Sequence, residues 1–230
     1  MPILSAIRYA VRPDQIATWE RDVARIAARA REKKEAFHWN ASQLSVGELG
    51  TFWVGSLTDT VEEATSRGGV PQLLERLFGA KEGAEILGRT GAALLSARSQ
   101  VLRDRPDLSH PAVGTRQPLG LVITRMTVRG GQQDAAEELI RKVAEAVPKT
   151  SDPRYFTVWQ PLIGDLRTIG VSRPVFALSE LDEVLPVPDL LVKAFGAAEG
   201  GLIYRSGMEA LEQIESELAL ARPDLSNPPA

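Results

Sequence analysis

The pentapeptide Arg105-Pro106-Asp107-Leu108-Ser109 occurs a second time as Arg222-Pro223-Asp224-Leu225-Ser226, 117 residues later in the chain. At the same offset, about 31 of 107 residues are identical between residues 4–110 and residues 121–227, without a gap. Average residue usage would give far fewer identities by chance. The period is also longer than the roughly 20 to 50 residues of solenoid repeats. The sequence therefore predicts two copies of one domain-sized unit, residues 1–110 and 121–230, with residues 111–120 as a linker.

Both copies contain the same series of predicted elements. Apolar and polar residues alternate in a first segment, which predicts a strand, and the next segment has the three-and-four spacing of an amphipathic helix. Two further apolar segments, separated by a turn at Gly47 or Gly164, predict a β-hairpin. The matched ranges are 3–12 and 121–129 for the strand, 15–34 and 133–147 for the helix, and 37–57 and 155–175 for the hairpin.

The remainder of each copy predicts two helical segments and a final strand. Pro71 and Pro188 suit the first turn of a short helix, which ends at Gly79 or Gly196. Residues 82–95 and 200–211 predict a second helical segment. Residues 97–103 and 214–220 alternate like a strand, although their helix-forming residues keep a helix as an alternative.

The order β-α-β-β-α-β is that of a ferredoxin-like unit. A single four-stranded sheet covered by helices on one side leaves its other face in need of a partner, and a second copy on the same chain can supply it. The predicted fold class is therefore α+β, with two tandem ferredoxin-like units that form an intramolecular α/β barrel.

The composition excludes several classes of function. With 27 Lys and Arg against 30 Asp and Glu, the formal net charge is −3, so a nucleic-acid partner is not expected. The chain has no Cys and only two His, which argues against a metal site. No apolar run approaches the roughly 18 residues of a membrane span, and no basic leader precedes the first strand. We therefore expect a cytoplasmic protein with no nucleic-acid or membrane partner.

The tandem units, the hairpin Gly164-Asp165-Leu166 and the terminal Arg-Pro-Asp-Leu-Ser segment resemble the dimeric α/β-barrel superfamily. Within it, the chain resembles antibiotic-biosynthesis monooxygenases and NIPSNAP-like proteins, here as a tandem pair. The resemblance covers nearly the whole chain. It implies a fold shared by cofactor-independent quinol monooxygenases, haem-degrading and haem-binding proteins, muconolactone isomerases and members without activity.

The sequence favours the members that use no cofactor. Haem-binding relatives would have a histidine in the helical layer, and the predicted helices at 15–34 and 133–147 contain none. Haem-degrading relatives would have an asparagine on the first strand, where this chain has Arg8 and Arg125. We therefore expect neither a cofactor nor a metal.

Three tryptophans of the first copy are candidate ligand contacts. Trp19, Trp39 and Trp53 are replaced in the second copy by smaller or different residues, which predicts an aromatic pocket between sheet and helices in the first copy. Core packing is the alternative role of these residues.

Polar residues on two predicted strands are the other candidates. His38 and Asn40 share one side of the second strand, and a cofactor-free oxygenase needs a base and a hydrogen-bond donor beside a bound phenol. A solvent-facing strand is the alternative. Arg8 and Arg125 occupy equivalent places on the first strands, where they either pair with carboxylates such as Glu48 or Asp165 or anchor an anionic ligand.

Two functions remain open from the sequence. One is binding of a small, apolar aromatic molecule in the first copy, with cofactor-independent monooxygenase-like activity. The other is a non-catalytic structural or assembly protein that forms a homo-oligomer.

Overall fold

A computed structural model describes residues 2–66, 69–112 and 116–229, so part of the predicted linker, residues 113–115, lies outside the described residues. The described residues form eight strands and eight α-helices. The strands are β1 (Ile3–Val11), β2 (Asn40–Val46), β3 (Thr51–Thr58), β4 (Leu94–Asp104), β5 (Gly120–Val128), β6 (Thr157–Ile163), β7 (Thr168–Val175) and β8 (Leu211–Ala221). The helices are α1 (Ile16–Glu32), α2 (Val61–Ser66), α3 (Gly69–Phe78), α4 (Ala80–Ala92), α5 (Gln133–Thr150), α6 (Glu180–Glu183), α7 (Val187–Phe195) and α8 (Ala197–Glu209).

The mixed α/β class is confirmed, and the final segment of each copy is a strand rather than a helix. Two predictions need correction. The second strand begins at Asn40, so His38 precedes it, because its neighbour Trp39 forms only an isolated bridge with Asn227. The short helices α2 and α6 follow the hairpins and were not predicted, since four to six residues are too few to show a helical period.

Hydrogen bonds connect the eight strands in the order β1-β3-β2-β8-β5-β7-β6-β4, which closes into a barrel. The chain divides into two compact units. Unit 1 contains residues 1–103, 162–164 and 219–230, and unit 2 contains residues 104–161 and 165–218. Unit 1 therefore includes two short segments that lie far away in sequence from the rest of it, whereas unit 2 is interrupted only at residues 162–164.

The core of unit 1 lies between its sheet and its helices. On one face of the sheet, Tyr9 and Phe52 are cross-strand partners, and the ring of Trp19 on α1 lies 5.8 Å from Tyr9 and 4.6 Å from Phe52. The indole is only 4% exposed. This packing places α1 on the Tyr9 side of the sheet and leaves the opposite face to Arg8 and Trp53, which are also cross-strand partners.

The core of unit 2 lies between its sheet and the helices α5, α7 and α8. Met126, Val158 and Ile169 from the strands pack with Leu139, Leu190 and other buried side chains of these helices. Close helix contacts depend on glycine: a Cβ atom on Gly207 of α8 would lie 2.5 Å from the Cβ atom of Leu139 on α5. Only a glycine allows this approach.

The repeated pentapeptide forms a short strap in each unit. In unit 2 the strap of residues 104–110 follows β4, and the Arg105 guanidinium donates hydrogen bonds to Asp107, to both carboxylate oxygens of Glu137 and to Gln160. The Ser109 hydroxyl accepts a bond from the Val158 amide.

The second strap, residues 221–227 after β8, repeats this network in unit 1. Arg222 donates to Asp224, Glu20 and Gln43, and the Ser226 hydroxyl accepts a bond from the Ala41 amide. Each acceptor lies 117 residues from its counterpart in the first network. Each half of the sequence thus ends in a strap that belongs to the unit formed mainly by the other half.

We expect the straps to make the protein less stable in acid. The arginines of the straps hold the pKa values of Asp107, Glu137 and Asp224 below their usual ranges. A carboxyl group whose pKa is lower in the folded than in the unfolded state stabilises the fold above its unfolded pKa. That contribution is lost as the pH falls through the folded pKa.

Urea unfolding at pH 7 and at stepwise lower pH down to about 3 measures this loss. The variants Asp107→Asn and Asp224→Asn should be less stable than the parent chain at pH 7 and should lose less stability on acidification. Equal losses in the parent chain and in both variants would contradict the assignment.

Candidate functional site

The structure separates the predicted tryptophans between two faces of the unit 1 sheet. Trp19 lies on the helix-covered face, as described above. Trp39 is 5% exposed, its ring lies 5.7 Å from that of Phe37, and its Nε1 donates to the carbonyl oxygen of Leu225 at 2.8 Å. Trp53 lies on the opposite face, across from Arg8. The three indoles are therefore not brought to one surface, and the contacts of Trp19 and Trp39 are those of core residues.

Three of the residues singled out in the sequence, Arg8, Asn40 and Trp53, do share a surface, which Ser42 joins. Trp53 is the cross-strand partner of both Arg8 on β1 and Ser42 on β2, and Asn40 is the partner of Gly55 two residues further along β3. Cross-strand partners and alternate residues point to the same side of a sheet. We call this side, with Arg8, Ser42, Asn40 and Trp53, the Arg8 face.

The Arg8 face is partly accessible. Asn40 is exposed, whereas Ser42, Trp53 and Gly55 are half-buried. The Arg8 side chain is 12% exposed and pairs with Glu48 at 2.8 Å, the partner that the sequence suggested. The face thus combines a guanidinium, an indole, an amide and a hydroxyl, which can hold a ring and donate hydrogen bonds to its substituents.

His38 lies two residues before Asn40, the first residue of β2. Its carbonyl oxygen accepts a hydrogen bond from Ser56 Oγ at 2.7 Å, which fixes the backbone. Its Nδ1 atom is buried and has no hydrogen-bond partner within the described part of the chain. This ring nitrogen is thus a buried polar atom whose hydrogen-bonding capacity no described residue satisfies.

Arg125 occupies the equivalent position in unit 2 and is held by carboxylates of β8. Its guanidinium donates to Glu215 at 2.7 Å and to Glu217 at 3.3 Å. The sequence suggested Asp165 as a partner and missed these two residues. No local pattern indicated them, because they lie 90 and 92 residues away from Arg125 in the chain.

The two histidines do not fit an axial haem ligand. His38 precedes a strand, and His110 follows the first strap, where its ring stacks on Tyr155 at 5.7 Å and its backbone bridges to Phe156. Neither lies on a helix, so no helical histidine is present to bind haem iron.

A surface groove of about 550 Å³ lies elsewhere on unit 1, between α1 and the junction of α3 and α4. Its basic side chains are already engaged: Arg25 pairs with Glu82, Arg29 donates to the Leu77 carbonyl and Lys33 to the Arg76 carbonyl. Its walls do not include the residues of the Arg8 face. The groove therefore supplies no unpaired catalytic group.

Within the described part of the chain, every helix is too short or too polar to cross a membrane.

Comparison with solved structures identifies the same fold in several proteins. A proposed monooxygenase from Fusobacterium nucleatum aligns with 96% of this chain and 92% of its own, with a TM-score of 0.59 and 8% identity. An anthrone oxidase-like protein aligns over 96% and 91% of the two chains, with a TM-score of 0.58 and 12% identity. A mutant chlorite dismutase from Candidatus Nitrospira defluvii aligns over 96% and 92%, with a TM-score of 0.57 and 11% identity.

At these identities the likeness is one of fold. No protein-family model matches the chain, and no curated protein matches it significantly.

Proposed function

We propose that the chain binds a small, largely apolar aromatic molecule on the Arg8 face and oxidises it in the manner of a cofactor-independent monooxygenase. The observation that carries this proposal is that Arg8, Trp53, Ser42 and Asn40 lie together on one face of the unit 1 sheet. Solved structures of the same fold include a proposed monooxygenase and an anthrone oxidase-like protein, which supports this reaction class.

The roles of the residues follow from their chemistry. Trp53 stacks on the aromatic ring. Nδ1 of His38 accepts the proton of a phenolic hydroxyl, and the Asn40 amide donates a hydrogen bond to the phenolate that results. A phenol with a free para C–H then reacts with O₂ to give the quinone and water, so the two oxygen atoms and the two substrate hydrogens are accounted for. Trp19 and Trp39 support the sheet from its other side.

We further propose that the chain is a tandem duplication of residues 1–110 and 121–230, related to the antibiotic-biosynthesis monooxygenases. The paired strap networks support this, because Glu20 and Gln43 bind Arg222 as Glu137 and Gln160 bind Arg105. Equivalent contacts at one offset are expected of copies and are not required of unrelated halves.

Fluorescence titration with 1-naphthol tests the binding step. The ligand should quench the indole emission of the parent chain, and Trp53→Phe should remove most of the quenching. Trp159→Phe, which changes an indole of unit 2, should leave it in place. Oxygen uptake and quinone formation then test the oxidation, which His38→Gln should abolish. Saturable quenching that persists in Trp53→Phe, or no quenching in the parent chain, would contradict the proposed site.

A non-catalytic assembly role is the second candidate. It is favoured by exposed apolar side chains at both hairpin tips, where Val46 and Leu49 are 60% and 76% exposed and their counterparts Ile163 and Leu166 are 52% and 64% exposed. Exposed apolar residues at matched places are typical of contact surfaces in homo-oligomers. In that case 1-naphthol binding would not depend on Trp53.

A further inference from the structure

The two copies differ most in how the charge of their central arginine is balanced. In unit 2, Arg125 has Glu215 and Glu217 as ion-pair partners. Gly170 is the cross-strand partner of both Arg125 and Trp159, and the Trp159 Nε1 donates to Ser172 Oγ at 2.9 Å. The face of unit 2 that carries Arg125 is thus neutralised by carboxylates and carries an indole anchored by its own hydrogen bond.

The equivalent positions of unit 1 differ from those of unit 2 in charge and in side-chain size. At the repeat offset, Glu215 is replaced by Arg98 and Glu217 by Gln100, while Trp159 becomes Ser42 and Ser172 becomes Gly55. In the other direction, unit 1 has the large side chain of Trp53 where unit 2 has Gly170. The Arg8 face therefore gains a cation, loses two carboxylates and has a smaller side chain at two of its positions.

The strand register brings Arg98 beside Arg8. The two residues are cross-strand partners in β4 and β1, and both lie on the Arg8 face. Arg8 has Glu48 as an ion-pair partner. Arg98 is exposed, and its side chain makes no hydrogen bond or ion pair with any residue that the structure describes. Like charges directly opposite each other destabilise a strand pair, so an anion at this point would be attracted.

The neighbouring row of the same face contains two small residues, of which Ala6 is buried and Gly55 is half-buried. Ala6 is the partner of Gln100 on one side and of Gly55 on the other, and Asn40 is the next partner beyond Gly55. Two small residues are thus flanked by two amides. A Cβ atom on Gly55 would lie 3.2 Å from Leu4 Cδ1, so the Leu4 side chain borders this row on the side away from Trp53.

We propose that the Arg8 face recognises a small aromatic acid, with its carboxylate on Arg98 and its ring beside Gly55, between Trp53 and Leu4. The amides of Asn40 and Gln100 then bind polar substituents of the ring. The inference rests on the proposed function, since it names the chemical class of ligand for the same surface. It assigns the selection of anionic ligands to Arg98, a residue that the sequence did not single out.

Two probes separate this inference from the proposed function: 1-naphthoate, which carries a carboxylate, and 1-naphthol, which is neutral at pH 7. The full chain is titrated with each by intrinsic fluorescence and by calorimetry. We expect Arg98→Glu, which installs the charge found in unit 2, to weaken 1-naphthoate binding by about tenfold or more. Its effect on 1-naphthol should stay within about twofold, because a neutral ligand has no charge to repel.

Arg103→Glu is the matched control, because it makes the same charge change on the same strand. Arg103 is the partner of Ile3, so it lies on the other face of the sheet, and it is exposed. This variant should bind both probes like the parent chain. Arg98→Lys should retain most of the 1-naphthoate affinity, and circular dichroism with thermal unfolding confirms that each variant is folded.

The outcomes are distinguishable. If 1-naphthol binds at Trp53 but 1-naphthoate does not, or if Arg98→Glu and Arg103→Glu weaken 1-naphthoate equally, the inference about Arg98 is wrong and the proposed function stands. If neither probe binds the parent chain, both are wrong. If 1-naphthoate binding depends on Arg98 and falls with added salt while 1-naphthol binding does not, the inference holds.

Discussion

Truncation of Leu225 to alanine should destabilise the protein by about 2–5 kcal/mol, because it empties part of a buried core. Its side chain is 0% exposed and packs in the cluster that contains Trp19, Ala41 and Phe52. The neighbouring side chains of this cluster are buried too, so the deleted atoms leave a cavity in the core of unit 1.

Leu108→Ala should have a similar effect, because Leu108 is 1% exposed in the core cluster of unit 2. Urea unfolding followed by tryptophan fluorescence and by circular dichroism measures both losses. Ile214→Ala is the matched control, since that side chain is 41% exposed on β8 and should cost well under 1 kcal/mol. Losses below about 1 kcal/mol for both strap leucines would show that neither strap contributes much to the core of its own unit.

Adding one methyl group to Gly200 should also be strongly destabilising, by about 2–4 kcal/mol. A Cβ atom at this position of α8 would lie 2.5 Å from the carbonyl oxygen of Leu191 on α7 and 2.6 Å from its carbonyl carbon. Both contacts are with backbone, which cannot rotate away as a side chain could. The helices would have to move apart, and the buried side chains of Leu190 and Leu191 would lose their packing.

The adjacent Gly201 provides the control for this substitution. A Cβ atom there would have no neighbour within 4 Å, and the residue lies inside α8. Gly201→Ala should therefore stabilise the protein by about 0.5–1 kcal/mol, because alanine loses less backbone entropy in a helix than glycine. Thermal unfolding of the two variants should shift in opposite directions. Destabilisation by Gly201→Ala, or none by Gly200→Ala, would contradict the close approach of α7 and α8.

The sequence indicates that Gly200 occupies a special position, but it does not show why a glycine is needed there. Gly83 and Gly200 are identical at the repeat offset, and the structure gives the reason: a Cβ atom on Gly83 of α4 would lie 2.9 Å from the backbone of Leu74 on α3. The position was visible in the sequence, but the contact was not, since it depends on how closely two helices cross. Arg98 was likewise visible in the sequence, but its position opposite Arg8 follows only from the register of β1 and β4.

The candidate site could be predicted in part. Alternation along the strands placed Arg8 on one face, and the pairing of Arg8 with Glu48 was among the expected contacts. The roles of the tryptophans were harder to predict, because an indole on an amphipathic stripe has the same sequence pattern whether it lines a pocket or fills a core. Trp19 and Trp39 proved to contact core residues, whereas Trp53 alone reached the Arg8 face.

The sequence by itself determined the eight strands and the longer helices of this protein and their order, because periods of two and of about 3.6 residues express which side of a strand or helix must be buried. The offset of 117 residues marked the repeated pentapeptide, whose two copies form equivalent strap networks. Only the tertiary structure decided that each strap belongs to the unit built mainly from the other half, and that Arg98 lies beside Arg8. Both depend on contacts between residues far apart in sequence, and local periodicity carries no information about which distant segments meet.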